Sequence, residues 1–121
     1  MLFRSENILA VPFVEQMAVL PRCKVFVTHG GMNSTMEAVM SRIPMLVIPQ
    51  MVEQAATAFR VDELGLGRKL LRNDVSVETI RRGIDEVLNL KNYPAISTDF
   101  AAACRDAGGV DRAVQVVESA D

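Results

Sequence analysis

The sequence predicts an α/β fold built on a parallel sheet, and three observations predict it. Two short runs, Lys24–Thr28 (KVFVT) and Met45–Ile48 (MLVI), are continuously apolar and rich in branched side chains, as strands buried on both faces are. Segments of helical periodicity alternate with such runs along the chain. Loops marked by glycine or proline follow the strand ends, at residues 29–31 and 49–54.

Taken in order, Asn7–Val11 (NILAV) reads as a first strand, and Phe13–Leu20 as a loop and short helix ending at Pro21. The strand Lys24–Thr28 runs into His29-Gly-Gly-Met-Asn, and a helix follows over Ser34–Ser41. Pro44 precedes the strand Met45–Ile48. A helix over Gln54–Leu64 stops at Gly65, and Gly67–Leu71 is a short strand. Ser76–Leu90 is amphipathic, with Ile80, Ile84, Val87 and Leu88 on one side and Glu78, Arg81, Arg82 and Asp85 opposite. Helical pattern resumes after Pro94, breaks at Gly108-Gly109, and returns over Val110–Ser119. About four short strands are few for a doubly wound sheet. Either the domain is unusually small, or the leading strands of a larger sheet lie outside it.

The 121 residues suit one domain, taken as 1–121. A net charge of −2, with lysine and arginine scattered, gives no footprint for nucleic acid or an anionic membrane. Half the residues are hydrophobic, enough for a core. No apolar stretch approaches the about 20 residues of a membrane span. Arg4 and Glu6 interrupt the start, so no signal peptide is expected. Cys23 and Cys104 are far apart and outside metal-ligand spacing, which predicts reduced thiols, a cytoplasmic location and no metal site.

The segment from Thr28 to Glu37 (THGGMNSTME) carries the most chemistry. A strand, two glycines and a helix start let backbone approach a ligand closely. The first helical turn offers unpaired N–H groups at the positive end of a dipole, an anion site suited to a diphosphate. In open α/β sheets ligands lie at the carboxyl ends of the strands, where this loop falls. His29, the only histidine, can donate to a phosphate oxygen, with Asn33 and Ser34 as further donors. Glu37, one turn on, can accept from vicinal hydroxyls such as those of a ribose. The same letters also fit a capping box, Ser34 capping the helix and Glu37 reaching back, with Gly30-Gly31 an ordinary turn. Spacing alone leaves both readings open.

Two further loops invite the same comparison. Pro49–Gln54 follows the next strand, and Glu53 and Gln54 suit sugar hydroxyls, although an acidic residue also favours any helix start. Phe13-Val-Glu-Gln16 follows the first strand. Its aromatic face can stack on a planar base, or Phe13 can be a core side chain.

Together the three loops resemble the donor-binding signature of uridine-diphosphate-dependent glycosyltransferases, in particular the macrolide-type bacterial branch. The matching residues are Phe13-Val-Glu-Gln16, His29-Gly-Gly-Met-Asn-Ser-Thr-Met-Glu37, Pro44, Pro49 and Glu53-Gln54. Glu63–Gly67 and Ala107-Gly-Gly109 are similar as well, so the resemblance spans nearly the whole chain. It implies the GT-B fold, two Rossmann-like domains facing across a cleft, with this chain the later part of the C-terminal, donor-binding domain. It implies that Phe13 stacks on uracil, that the backbone of Val14 reads the base edge, and that Gln16 and Glu37 contact ribose. His29, Gly31, Asn33 and Ser34 would hold the diphosphate, and Glu53 and Gln54 the hydroxyls of the transferred sugar. Such enzymes invert the anomeric centre without a bound metal or cofactor, the UDP-sugar being substrate. Three residues depart from the pattern. Phe13 replaces a tryptophan, Glu15 a proline, and Arg42 stands where glycine is common before Pro44.

In this family the general base and the acceptor pocket belong to the N-terminal domain, so no catalytic residue is expected here and the chain is not expected to transfer sugar alone. The expected partners are UDP or a UDP-sugar and the missing N-terminal domain. A non-catalytic subunit of a split transferase is the alternative. A response-regulator-like domain is disfavoured, because no acidic cluster stands at a strand end. Missing strands would leave an open sheet edge and apolar faces, which predicts self-association or marginal stability.

Overall fold

A computed structural model of the chain describes residues 4–120. Its centre is a three-stranded parallel sheet of β3 (Phe26–Thr28), β4 (Met45–Val47) and β5 (Gly67–Lys69), in that spatial order. Phe26 pairs with Met45 and Met45 with Gly67, so all three strands end along one edge. The pairing of β4 and β5 is close enough that a Cβ on Gly67 would run into the Met45 carbonyl.

β4 is buried throughout, as its MLV run predicts. Its side chains alternate between two helical layers. Met45 and Val47 face α2 (Met32–Ser41) and α3 (Val52–Glu63), joining Ala38, Val39, Ala58, Val61 and Leu66 in the main core. Leu46 points the other way, against Gly83 of α4 (Val77–Leu88), where an added Cβ would lie 2.8 Å from a Leu46 methyl. A helix thus approaches the sheet closely at a residue without a side chain. After α4 the chain returns to the first layer as α5 (Tyr93–Asp106), whose Ile96, Phe100 and Cys104 pack on the main core. Then α6 (Gly109–Ser119) leaves the body, with every residue exposed and the side bearing Val110, Val114 and Val117 uncovered.

Several sequence expectations shift. Asn7–Val11 contributes only β2 (Ile8–Leu9), paired antiparallel with β1 (Arg4–Ser5) and separate from the parallel sheet. β3 is parallel as expected but not buried. It forms one edge of the sheet, and Val27 is 45% exposed. The first helix is a single turn, α1 (Gln16–Val19), followed by a 3₁₀ turn through Pro21 that buries Leu20. In α4, Val87 is buried and Ile80 and Ile84 are half-buried, but Leu88 is exposed. At 3.6 residues per turn, Leu88 sits on the flank of the stripe made by the other three. Its cap is a true capping box, Ser76 with Thr79. Pro94 lies within the first turn of α5, where its missing N–H costs nothing. Arg42 ends α2 in the left-handed conformation (φ 56°), the position glycine would favour. Both cysteines are free. Among the described residues no helix is long and apolar enough to cross a membrane.

Candidate functional site

The parallel pairing sends the loops after β3 and β4 out of the same edge of the sheet. They also touch. Gly30 (φ 91°) packs so closely that an added Cβ would lie 2.8 Å from a Val47 methyl and 3.4 Å from the Gln54 carbonyl oxygen. Two constraints meet at this one residue: a backbone angle that side chains avoid and no space for one. Gly30 was not among the residues expected to form the site; the doubled glycine was the available signal.

Helix α2 begins two residues before the expected Ser34. Its N-cap is Gly31, and no side chain caps it. Ser34 therefore lies inside the first turn, and the capping-box reading of Ser34 and Glu37 fails. The first helical bond runs from Thr35 N–H to the Gly31 carbonyl. Helix geometry leaves the amides of Met32, Asn33 and Ser34 without internal acceptors. No acidic side chain stands in this turn to oppose an anion.

Glu37 and Ser34 are instead joined to the first loop. Gln16 Nε2 donates to Glu37 Oε2 at 2.7 Å and to Ser34 Oγ at 3.2 Å. One amide thus ties α1 to the first two turns of α2. All three side chains are half-buried. Phe13 lies three residues upstream and is 79% exposed, so it is not a core side chain. Val14 is exposed beside it.

His29 is exposed, and its Nδ1 accepts a 2.9 Å hydrogen bond from the Gly31 amide. The Gly31 N–H therefore has a partner within the free chain. The Gly30 amide donates to Thr28 Oγ1 at 3.3 Å. In the third loop, Gln54 Oε1 accepts from the Gln50 amide at 2.9 Å, which turns the Gln54 NH₂ away as a donor. Glu53 is exposed in the first turn of α3. Donor and acceptor thus stand side by side at the start of this helix. The rim itself is open. A cavity of about 330 Å³ lies behind it, between α2 and α3, with Val39, Val61 and Phe100 in its wall. Thr35, whose buried hydroxyl has no hydrogen-bond partner among the described residues, also lines it.

The expected site residues thus fall on one end of the sheet. Gln16, Ser34 and Glu37 are in contact, His29 and Gly31 are in contact, and Gln54 abuts Gly30. Asn33 is exposed in the first turn of α2.

Comparison with known proteins shows which family the chain is similar to. A family model described as the erythromycin biosynthesis protein CIII-like C-terminal domain matches residues 4–108. The NDP-glycosyltransferase YjiC of Bacillus subtilis is 41% identical over 106 residues, which are 88% of this chain and 27% of that protein. The crystal structure of the kitacinnamycin glycotransferase superposes with a TM-score of 0.81 at 34% identity, covering 88% of this chain and 28% of that one. The structure of Os79 from O. sativa in complex with UDP does so with a TM-score of 0.68 at 28% identity, covering 77% and 23%. The chain spans less than a third of the length of each of these proteins.

Proposed function

Because the chain belongs to the erythromycin biosynthesis protein CIII-like C-terminal domain family, and its fold is part of the C-terminal domain of a GT-B glycosyltransferase, we propose that it binds the UDP-sugar donor of an inverting glycosyltransferase. The enzyme would transfer a hexose to the hydroxyl of a small molecule, with acceptor pocket and general base supplied by the N-terminal domain. The observation that carries this reading is the bridge from Gln16 to Ser34 and Glu37, which sets the first loop against the helix start that can receive a diphosphate.

In this reading the donor lies across the rim. Its base stacks on the exposed ring of Phe13 and meets the backbone of Val14. Its ribose replaces part of the Gln16–Glu37 contact, Glu37 accepting from a hydroxyl. Its diphosphate sits before α2, within reach of the free amides, Asn33, Ser34 and the His29–Gly31 pair. Glu53 and Gln54 take the hexose hydroxyls, one accepting and one donating.

The chemistry follows from charge. When the bond from the anomeric carbon to the diphosphate breaks, negative charge collects on the leaving oxygen. Preoriented N–H donors at a helix start stabilise that charge more in the transition state than in the ground state. The acceptor oxygen attacks from the opposite side of the anomeric carbon, which inverts it. A base on the other domain removes the acceptor proton.

An NMR titration of the chain with UDP tests this, alongside His29→Ala and Glu37→Ala. Shifts should cluster at residues 13–16 and 29–37, and both variants should weaken binding. Shifts confined to other parts of the chain refute the donor site.

A further inference from the structure

We infer that Gly31 is a positioning residue for His29: the side chain it lacks makes room for the imidazole, and its amide fixes which ring nitrogen carries the proton. Two observations meet here. Gly31 has φ −60° and ψ 143°, a conformation open to every residue, so backbone freedom does not explain a glycine at this point. Space does. A Cβ on Gly31 would stand 2.6 Å from His29 Cε1, nearer than a ring atom tolerates, so the ring would have to move.

The second observation is the hydrogen bond. Gly31 N–H points at His29 Nδ1 over 2.9 Å. An amide can only donate, so in the neutral ring Nδ1 is the acceptor and the proton sits on Nε2. The ring is exposed, and Nε2–H is then a donor of fixed identity beside the first turn of α2. The two glycines therefore do different work. Gly30 accepts a strained backbone angle and a tight fit against the third loop, whereas Gly31 holds an aromatic ring. That this donor meets the diphosphate rests on the reading given above; the positioning itself does not.

His29 is the only histidine, so long-range ¹H–¹⁵N spectra of the 121-residue chain at alkaline pH report this ring without ambiguity. The unaltered chain should show Nδ1 as an unprotonated acceptor nitrogen and Nε2 as the protonated one. Gly31→Ala should move both resonances toward a mixture of tautomers while the amide spectrum stays dispersed. Gly31→Ser caps a helix better than either glycine or alanine but carries the same Cβ, so it should perturb the ring equally. In both variants UDP should bind about tenfold more weakly, the size of one lost bond to a charged group.

A protonated Nδ1 in the unaltered chain overturns the inference, as does an unchanged nitrogen pattern in the folded Gly31→Ala chain. Recovery of the pattern in Gly31→Ser alone would trace the effect to helix capping and overturn it too. If UDP binds none of the three chains but the nitrogen shifts behave as expected, the donor-site reading falls and the positioning of His29 stands.

Discussion

Removing Gln16 and Glu37 singly and together measures the bond on which the proposed site depends. Gln16 Nε2 stands 2.7 Å from a Glu37 carboxylate oxygen and 3.2 Å from Ser34 Oγ. A hydrogen bond to a charged group contributes about 1.5–3 kcal/mol net. Both partners are half-buried, so water competes for each, and the coupling expected from this geometry is about 1 kcal/mol. Glu37→Ala also places a better helix former inside α2, a gain of a few tenths of a kcal/mol at roughly the scale of helix propensities. The lost bond outweighs it. Gln16→Ala and Glu37→Ala should therefore each lower the unfolding free energy by about 1 kcal/mol, and the double variant by less than the sum. Urea unfolding followed by far-UV circular dichroism gives all four values, with an unchanged slope confirming that the unfolded state is comparable. If the double variant equals the sum within about 0.3 kcal/mol, the two residues do not interact in solution and the first loop is not held against α2.

The remaining predictions concern stability, ionisation and association. Burial pushes the hydroxyl of Tyr93 up to about 12, with its hydrogen bond to Ser97 and the charge of Arg42 acting weakly the other way. The folded chain thus keeps a proton that the unfolded chain gives up near pH 10. Stability from this group is intact below pH about 10 and is lost as pH rises toward 12. Absorbance of the single tyrosine against pH should place its ionisation well above the ordinary value, and Tyr93→Phe should remove that part of the alkaline stability loss. Arg42→Gly should raise the unfolding free energy by about 0.5–1 kcal/mol, since relief of a left-handed residue outweighs the loss of an exposed bond to Thr98 and of the weak charge effect on Tyr93. A lower melting midpoint would contradict this. The open edge of β3 should drive concentration-dependent association, and Val27→Lys should reduce it in sedimentation velocity. An unaltered chain that stays monomeric at NMR concentrations would argue against the edge.

The sequence displayed some of this molecule plainly. The MLV run is the buried central strand, because a strand covered on both faces must be apolar at every position. The alternation of strands and helices carried the class of fold, and glycine at 65 and the pair at 108–109 marked helix ends. Local pattern misled where two local rules compete. Ser34 and Glu37 have the spacing of a capping box, yet α2 starts at Met32. The contact that decided the matter comes from Gln16, 21 positions before Glu37, and periodicity reports only near neighbours. Leu88 failed for a similar reason: a helical stripe has a flank, and only packing shows how wide the buried part is. The hydrogen bond from Gly31 to His29 needed coordinates, since a glycine chosen for space looks in a sequence like one chosen for its backbone.

The exposure of Phe13 has a consequence for how such a site can diversify. The ring buries little, so replacing it removes almost nothing from the core and costs the fold little. The neighbouring segment stays anchored through Gln16 whatever aromatic or smaller group stands at 13. If Phe13 stacks on the donor base as proposed, selectivity for that base can drift by single substitutions, while the glycine-lined turn, fixed by Val47 and the backbone at Gln54, admits almost none.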